Sequence, residues 1–321
     1  MNRIRNGKKS ISIVVPCYNE EEVLSELISR LTKSALSWNM DWKVICIDDG
    51  STDNTWEILM KQVKKDHHWS AISLSRNFGH QIAISCGLGY AKGNAVIIMD
   101  ADLQDPPEEF YRYIKKWKQG YDVVYAIRQK RKEHLVKRLS YWLFYRIIAQ
   151  LVNFDLPLDS GDFSLMDKRV VEVLNRMPER NRFVRGLRAW SGFKQIGVEY
   201  ERDSRFAGKS KYTLPKMLRL AFDGIISFSP IPLTIASYLG IIISIVAFLG
   251  ALFTLIQHIF TRYFVEIGLG QLPGFATTVI AILFLGGIQL TFLGIIGSYL
   301  SRIYDEVKGR PLWIIKETTG I

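Results

Sequence analysis

The stretch Ala95-Val96-Ile97-Ile98-Met99-Asp100-Ala101-Asp102-Leu103-Gln104-Asp105-Pro106-Pro107 decides the fold. Five apolar residues in a row read as a strand buried on both faces, as in a parallel sheet, and the run stops abruptly at oxygen-bearing side chains. Asp100 and Asp102, two apart beyond a strand, put two carboxylates near one site, and Gln104 adds a neutral oxygen. Such hard oxygen ligands suit Mg2+ or Mn2+ beside a diphosphate. The stretch also reads as a helix start, with Asp105 capping and Pro106 in the first turn. Both readings can hold at once, since Asp105 can cap while Asp100 and Asp102 face a ligand.

Outward from there, short apolar runs alternate with helical patterns. Strands are expected at Ile11–Val15, Val44–Ile47, Ala71–Leu74, Ala95–Met99 and Val123–Ala126, and helices at Glu20–Leu36, Asn54–Lys65, His80–Tyr90 and Glu108–Gln119. This alternation predicts βαβ units and a mostly parallel sheet, whose ligands bind outside the carboxyl ends of the strands. Polar residues gather at those ends. The first strand runs into Pro16-Cys17-Tyr18-Asn19-Glu20, the second into Asp48-Asp49-Gly50-Ser51-Thr52-Asp53, and the third into Ser75-Arg76-Asn77-Phe78-Gly79. Asp48 and Asp49 can accept from a base or ribose, or form a solvated Asp-Gly-Ser turn. Tyr18 can stack on a base or pack in the core, and Arg76 is either a site cation or a surface arginine. Cys17, Cys46 and Cys86 match no metal-site spacing and read as small core residues.

The 321 residues carry 42 Lys and Arg against 31 Asp and Glu, a net charge of +11. The 48% hydrophobic content excludes an all-membrane transporter, and 23% charged with 12% aromatic residues excludes a disordered chain. Residues 1–110 carry a net −3, residues 111–220 a net +14 and residues 221–321 zero. Positive charge concentrated in the middle calls for a polyanionic partner, nucleic acid or an acidic membrane surface. The last third decides between them. Leu233–Ile256 and Thr277–Leu300 contain no Asp, Glu, Lys or Arg. Each makes a helix of about 36 Å, against a hydrocarbon core of about 30 Å, so two membrane spans are expected.

No signal peptide is evident, and basic residues flank the spans, so residues 1–220 and the C-terminal tail are placed in the cytoplasm. The basic, aromatic-bearing stretch 128–154 reads as an amphipathic helix at an anionic membrane surface, ahead of an ordinary helix packed on the sheet with solvated charges, and Leu214–Phe228 is a second such candidate. No nucleic-acid reader motif is present, and no nucleic-acid partner is expected. Gly286-Gly287 with Gly294 can pack the spans together or mark a bent or lipid-facing helix, and any homo-oligomer would serve stability or membrane placement. The expected domains are a nucleotide-binding core at 1–127, an acceptor-side part at 128–228, two spans within 229–301 and a tail at 302–321.

Together, Pro16-x-Tyr18-Asn19-Glu20, Asp48-Asp49-Gly50-Ser51-x-Asp53, Ser75-Arg76-Asn77-Phe78-Gly79 and Asp100 through Pro107 resemble the family 2 inverting glycosyltransferases with a GT-A, Rossmann-like α/β fold. Within that family the chain is similar to the polyprenyl-phosphate glycosyltransferases: dolichyl-phosphate mannose synthases and, with two C-terminal spans, bactoprenol glucosyltransferases. The resemblance extends into Ser160-Gly161-Asp162-Phe163-Ser164-Leu165 and Arg205-x-x-Gly208-x-Ser210-Lys211-Tyr212, and so covers essentially the whole chain. The Gln-x-x-Arg-Trp signature of processive polysaccharide synthases is missing.

The resemblance implies transfer of a hexose to undecaprenyl or another polyprenyl phosphate on the cytoplasmic face of the inner membrane. Glucose from UDP-glucose is expected ahead of mannose from GDP-mannose; the reading from another class is a nucleotide-sugar-binding membrane component without turnover. By resemblance, Pro16, Tyr18, Glu20, Asp48, Asp49, Arg76, Asp100 and Ala101 hold the nucleotide sugar, and Asp100, Asp102 and Gln104 hold Mg2+ or Mn2+. Arg128 contacts the acceptor phosphate. Arg205 and Lys211 close over both phosphate groups, and Asp162 acts near the sugar as a base or an electrostatic organiser. Some relatives are expected to carry Lys where His80 stands, and His80 receives no role. A lipid phosphate is already ionised at neutral pH and needs little help losing a proton.

Overall fold

The structure is a computed structural model and describes residues 9–128, 160–180, 182–200, 231–266 and 274–321. The chain divides into two compact units, one of Met1–Arg219 with Arg310–Ile321, the other of Leu220–Gly309.

The first unit is built on eight strands: β1 (Ser10–Cys17), β2 (Asp41–Asp48), β3 (Trp69–Leu74), β4 (Ala95–Ile98), β5 (Val123–Arg128), β6 (Ser160–Asp167), β7 (Gln195–Tyr200) and β8 (Ile315–Thr319). They form one sheet in the order β7-β5-β6-β4-β1-β2-β3-β8. β1 pairs in parallel with β2 and β4, β2 with β3, and β5 with β7, as the alternating pattern requires. β6 runs antiparallel between β4 and β5, and β8 antiparallel along β3. Because β6 is reversed, its first residues lie at the same end of the sheet as the last residues of its neighbours. Asp162 is thereby carried to the end where Asp100 follows β4.

Among the described residues six helices accompany the sheet: α1 (Leu24–Leu36), α2 (Thr55–Lys65), α3 (His80–Tyr90), α4 (Phe110–Lys118), α5 (Lys168–Arg176) and α6 (Val184–Trp190). α1 shows why they form. Leu24, Leu27, Leu31 and Ala35 recur at helical spacing and are all buried against the core. Burying such a leucine contributes about 1.5–3 kcal/mol. All five expected strands and four expected helices of the first 128 residues are present; α3 spans His80–Tyr90 as expected, and the other three helices enter slightly later than their patterns begin.

Two details differ. Asp105 does not cap a helix. A single 3-10 turn, Pro107–Glu109, leads into α4 without a side-chain cap, and the buried Asp105 carboxylate accepts from the Tyr200 hydroxyl. The tail expected at 302–321 is also no separate segment, since it supplies β8. Trp313 and Ile315 pack against Ile45, Ile47, Ile72, Leu74, Ala83 and Cys86, and the open edge of β3 offers its backbone groups for pairing.

In the second unit, α7 (Ile231–Ile259) and α9 (Gly274–Val307) are joined through α8 (Thr261–Glu266). Ile231–Ile259 and Ile280–Val307 are long and apolar enough to cross a membrane, with mean hydropathy 2.7 and 2.2 and 0% of either apolar window buried. Both helices outrun the spans expected at Leu233–Ile256 and Thr277–Leu300. Among the described residues, nothing stands within 4 Å of a Cβ built on Gly286, Gly287 or Gly294. The close approach uses Gly240 instead, where the Phe292 ring lies at 3.8 Å, a small residue accommodating a large one. The two amphipathic interfacial stretches, 128–154 beyond Arg128 and Leu214–Phe228, fall on residues outside those described.

Candidate active site

The loops after β1 and β2 are tied into one wall. Parallel register sets Cys17 opposite Asp48, so the following residues meet. Asn19, at φ 53°, takes the left-handed conformation that asparagine tolerates. Its N–H donates to Ser51 Oγ at 3.0 Å, and its Oδ1 accepts from Thr52 N–H at 2.8 Å. Glu20 N–H donates to Thr55 Oγ1 at 2.9 Å. Asp48 is buried, and its carboxylate accepts from Ser51 N–H at 3.0 Å and Ser73 Oγ at 2.9 Å. Its two oxygens thereby tie this turn to β3.

Asp49 accepts from Phe78 N–H at 2.7 Å and Gly79 N–H at 2.9 Å, which binds the third loop to the wall. Burial pushes its pKa up, against the pull of those two bonds. Between them Gly50 stands at φ +69°, and a Cβ there would lie 2.5 Å from the Arg76 carbonyl carbon, so only glycine allows the two loops this close. Pro16 is buried in β1, Tyr18 is 37% exposed, and the exposed Arg76 guanidinium stacks over Phe78 at 4.5 Å. Tyr18 and Arg76 therefore remain at the rim.

The acidic centre draws on four elements. In the loop after β4, Leu103 is buried at φ 56°, a strained conformation for a bulky residue, and Asp102 Oδ1 accepts from Gln104 N–H at 3.2 Å. Ala101 is buried. Asp100 Oδ1 is buried without a hydrogen-bond partner; His80 Nε2, on the first residue of α3, stands 3.3 Å away, near enough for an ion pair but not aligned for a hydrogen bond. Burial raises the Asp100 pKa to about 6, with Asp162, Asp105 and Asp102 adding to the rise and His80 opposing it. An unsatisfied carboxylate oxygen among further oxygen donors on one turn fits a hard divalent cation.

Asp162 contrasts with Asp100. Arg185 Nε reaches its Oδ1 at 3.0 Å and Arg185 Nη2 its Oδ2 at 3.2 Å. Gln81 Nε2 donates to Oδ2 at 3.0 Å, and His80 Nε2 lies 3.6 Å from the same oxygen. Burial alone would raise the Asp162 pKa, but Arg185 and His80 hold it far below the ordinary carboxylate range. His80 answers in kind. Desolvation pulls it down, yet Asp162 and Asp100 lift it to about 9. The next residue of β6, Phe163, points to the other face, where it stacks on Phe110 at 5.0 Å and packs against Tyr113 and Tyr200. That aromatic layer fixes the strand beneath Asp162.

His80, Gln81, Arg185 and Arg188 received no place in the sequence reading. The available signal was Arg182-x-x-Arg185-x-x-Arg188, a run that a solvated helix face would also show. Arg182 is buried and donates to the carbonyls of Met177 at 2.7 Å and Leu174 at 2.9 Å, closing the end of α5. Arg188 is 1% exposed and lies 5.6 Å from the Tyr125 ring centre, with a long bond of 3.5 Å to the Gly161 carbonyl. Burial lowers its pKa to about 10, while the nearby Asp162 opposes that fall. Arg128 ends β5 opposite Tyr200 at this end of the sheet. Arg205 and Lys211 lie outside the described residues. A separate Asp66, His67 and His68 group is accounted for by its turn, since Asp66 Oδ1 takes both the His68 N–H at 2.9 Å and its ring Nδ1 at 2.7 Å.

The family model for glycosyl transferase family 2 matches residues 12–174. An uncharacterised glycosyltransferase of Bacillus subtilis, YkcC, is 46% identical over 311 residues, which is 97% of this chain and 94% of that protein. A prophage bactoprenol glucosyl transferase homolog of Escherichia coli is 38% identical over 309 residues, 95% of this chain and 98% of that protein. The bactoprenol glucosyl transferase of Shigella phage SfII is 36% identical over 310 residues, 96% and 98% of the two chains.

Proposed function

The chain belongs to glycosyltransferase family 2, and from that premise we propose that it transfers a hexose from a nucleotide sugar to a polyprenyl phosphate, with inversion at the anomeric carbon. The observation that carries the acceptor is the state of Asp162. Both of its oxygens are engaged by Arg185 and Gln81, and its affinity for a proton is suppressed. A carboxylate in that state is a poor general base, so an acceptor hydroxyl would find little help there. A phosphate monoester arrives ionised and needs none. Relatives named as bactoprenol glucosyl transferases support the same class of acceptor.

The protein's own groups divide the work. Pro16, Tyr18, Glu20 and Asp49, with Arg76 at the rim, hold the nucleoside. Asp100, Asp102 and Gln104 hold a divalent cation, Mg2+ or Mn2+, which when bound neutralises the leaving diphosphate. Asp162 organises the centre, fixed between Arg185 and His80, and the imidazolium of His80 offsets the acidic pair. Arg128, Arg205 and Lys211 supply the cations that let two phosphate groups approach one another. Transfer is then a single displacement in which the lipid phosphate oxygen bonds to the anomeric carbon as the bond to the nucleoside diphosphate breaks.

The lipid acceptor accords with α7 and α9, whose apolar surfaces are exposed. Their hydroxyls are satisfied within the helix, as apolar surroundings demand. Ser237, Ser244, Thr254, Thr291 and Ser298 each bond the carbonyl four residues earlier, at 2.8–3.0 Å. The cationic residues flanking the two apolar helices support a catalytic unit on the cytoplasmic face.

The test is a donor screen. Purified protein in vesicles containing undecaprenyl phosphate is given labelled UDP-glucose, UDP-N-acetylglucosamine or GDP-mannose, and lipid extract and released nucleotide are measured. UDP-glucose is expected to yield a lipid-linked sugar, with nucleotide release that depends on the lipid phosphate. Release independent of the lipid, or no lipid product with any donor, overturns the proposal; product from GDP-mannose alone transfers it to the mannose synthases.

A further inference from the structure

Resting on the glycosyltransferase reading, we propose that the C-terminal segment 310–321 is a positioning element of the donor site, holding in place the loop Ser75–Gly79 and the start of α3. The segment follows the second apolar helix, yet it completes the sheet of the other unit. β8 pairs with β3 in the register Ala71 to Thr319, Ile72 to Thr318 and Ser73 to Glu317, then shifts to set Leu74 against Ile315. One step further, Ser75 N–H donates to the Ile314 carbonyl at 2.9 Å, so the pairing continues past β3 into the loop itself.

The segment is anchored along its length. Arg180 donates to the Arg310 carbonyl. The Trp313 ring lies 3.7 Å from where a Cβ on Gly89 of α3 would stand, and packs with Phe78 around the cluster of Ile45, Ile47, Ile72, Leu74, Ala83 and Cys86. At the far end Lys43 Nζ donates to the Gly320 carbonyl at 2.7 Å. Gly320 adopts φ +72°, and a Cβ there would stand 2.6 Å from Val63 Cγ1 and 2.9 Å from the Trp69 carbonyl, a fit that tolerates no side chain.

What the segment holds is the donor wall. β3 supplies Ser73, whose hydroxyl bonds Asp48, and the loop beyond it supplies the Phe78 and Gly79 N–H groups that bond Asp49. The same loop displays Arg76 and ends at His80. Meanwhile β8 buries little: Lys316, Glu317 and Thr318 are exposed. Such a polar edge strand adds modestly to stability, and its effect falls on the backbone position of β3 and the loop after it.

The full-length Trp313→Ala and Glu317→Pro variants test this, the first removing the wedge against α3 and the second interrupting the ladder. Three readouts are compared with the unaltered protein: UDP and GDP affinity by calorimetry, KM for undecaprenyl phosphate, and amide exchange in peptides covering residues 75–80. Nucleotide affinity is expected to fall about tenfold, with faster exchange at Phe78 and Gly79 and an unchanged lipid KM. If Trp313→Ala does not fold, Trp313→Phe with Glu317→Pro carries the same comparison. Unchanged nucleotide affinity, weakened affinity without faster exchange in 75–80, or an equal loss for nucleotide and lipid each overturn the proposal. Unaltered protein that binds neither UDP nor GDP overturns the glycosyltransferase reading instead.

Discussion

Arg185 grips Asp162 with two nitrogens, Nε on Oδ1 at 3.0 Å and Nη2 on Oδ2 at 3.2 Å, so a carboxylate that burial would neutralise stays ionised. A bidentate grip is specific to the planar guanidinium. Arg185→Ala leaves the buried carboxylate short of its main partner and is expected to cost about 3 kcal/mol of stability. Arg185→Lys restores the charge but not the fork, and should recover stability better than turnover. The acid side carries the sign. Asp162 has a depressed pKa in the folded protein, so its contribution is present above the ordinary carboxylate range and disappears as pH falls. Removing Arg185 lets burial dominate, and the acid unfolding midpoint should move to higher pH. Denaturant titrations from pH 4 to 8 on both variants check this; an unchanged acid limb would show that Asp162 is not held by Arg185.

His80 works in the opposite direction. Its pKa is raised to about 9 by Asp162 and Asp100, over a desolvation that pulls it down. Stabilisation from the imidazolium is therefore fully present below its ordinary value of about 6.5 and is lost as pH rises through about 9. In chelator, the stability difference between the unaltered protein and His80→Ala should be largest below pH 7 and shrink toward pH 10. His80→Lys keeps a cation beside the two carboxylates and should keep more of both stability and transfer than His80→Ala. A stability difference constant from pH 6 to 10 contradicts the assignment of charge to His80.

The sheet from β1 to β5 was legible because its strands are built on short, largely buried apolar runs, broken only by Ser12 and Ser73, and such runs announce themselves without knowledge of their neighbours. β6 was not, since Ser160-Gly161-Asp162 opens it with polar residues and its direction is settled by pairing with β4 and β5. β8 escaped for a related reason: Ile315-Lys316-Glu317-Thr318-Thr319 has the look of a solvated tail, and only the free edge of β3 and the packing of Trp313 make it a strand. The acidic motif pointed to Asp100 and Asp102, and the family resemblance to Asp162. What neither could convey is that Asp162 is gripped by Arg185 and Gln81 while His80 stands between it and Asp100, because those partners are brought in by other elements. Asp105 illustrates the limit: a residue with every local mark of a helix cap is claimed by Tyr200 from β7.

The two acidic positions should respond differently to amidation. Asp102→Asn removes a charge from the oxygen set proposed for the cation, and transfer is expected to fall by at least about a hundredfold, partly recoverable by raising Mn2+. Asp162→Asn preserves shape and some hydrogen bonding while leaving Arg185 with a weaker partner. Its loss should be smaller, and insensitive to Mn2+. Chelation of the unaltered protein should abolish transfer, with Mg2+ or Mn2+ restoring it. Assays of lipid-linked product across a metal titration decide the matter. An Asp162→Asn defect equal to that of Asp102→Asn, with nucleotide binding intact, would return Asp162 to the role of base.

Gly50 and Gly120 offer a controlled pair for testing the donor wall. Both have positive φ, +69° and +98°, so alanine at either place meets a backbone penalty of about 1 kcal/mol. Their surroundings differ. Among the described residues a Cβ on Gly120 meets nothing within 4 Å, whereas one on Gly50 would stand 2.5 Å from the Arg76 carbonyl carbon and 2.7 Å from the Asn77 nitrogen. Those are backbone atoms, which cannot rotate aside as a side-chain tip can. The Ser75–Gly79 loop must therefore retreat in Gly50→Ala, loosening the bonds that Phe78 and Gly79 give to Asp49. Gly120→Ala should lower the unfolding midpoint slightly and leave UDP binding unchanged. Gly50→Ala should lower it further and weaken UDP binding about tenfold, with the KM for undecaprenyl phosphate unaffected. Equal stability losses with equal UDP affinities in the two variants would mean that the approach of these loops does not shape the donor site.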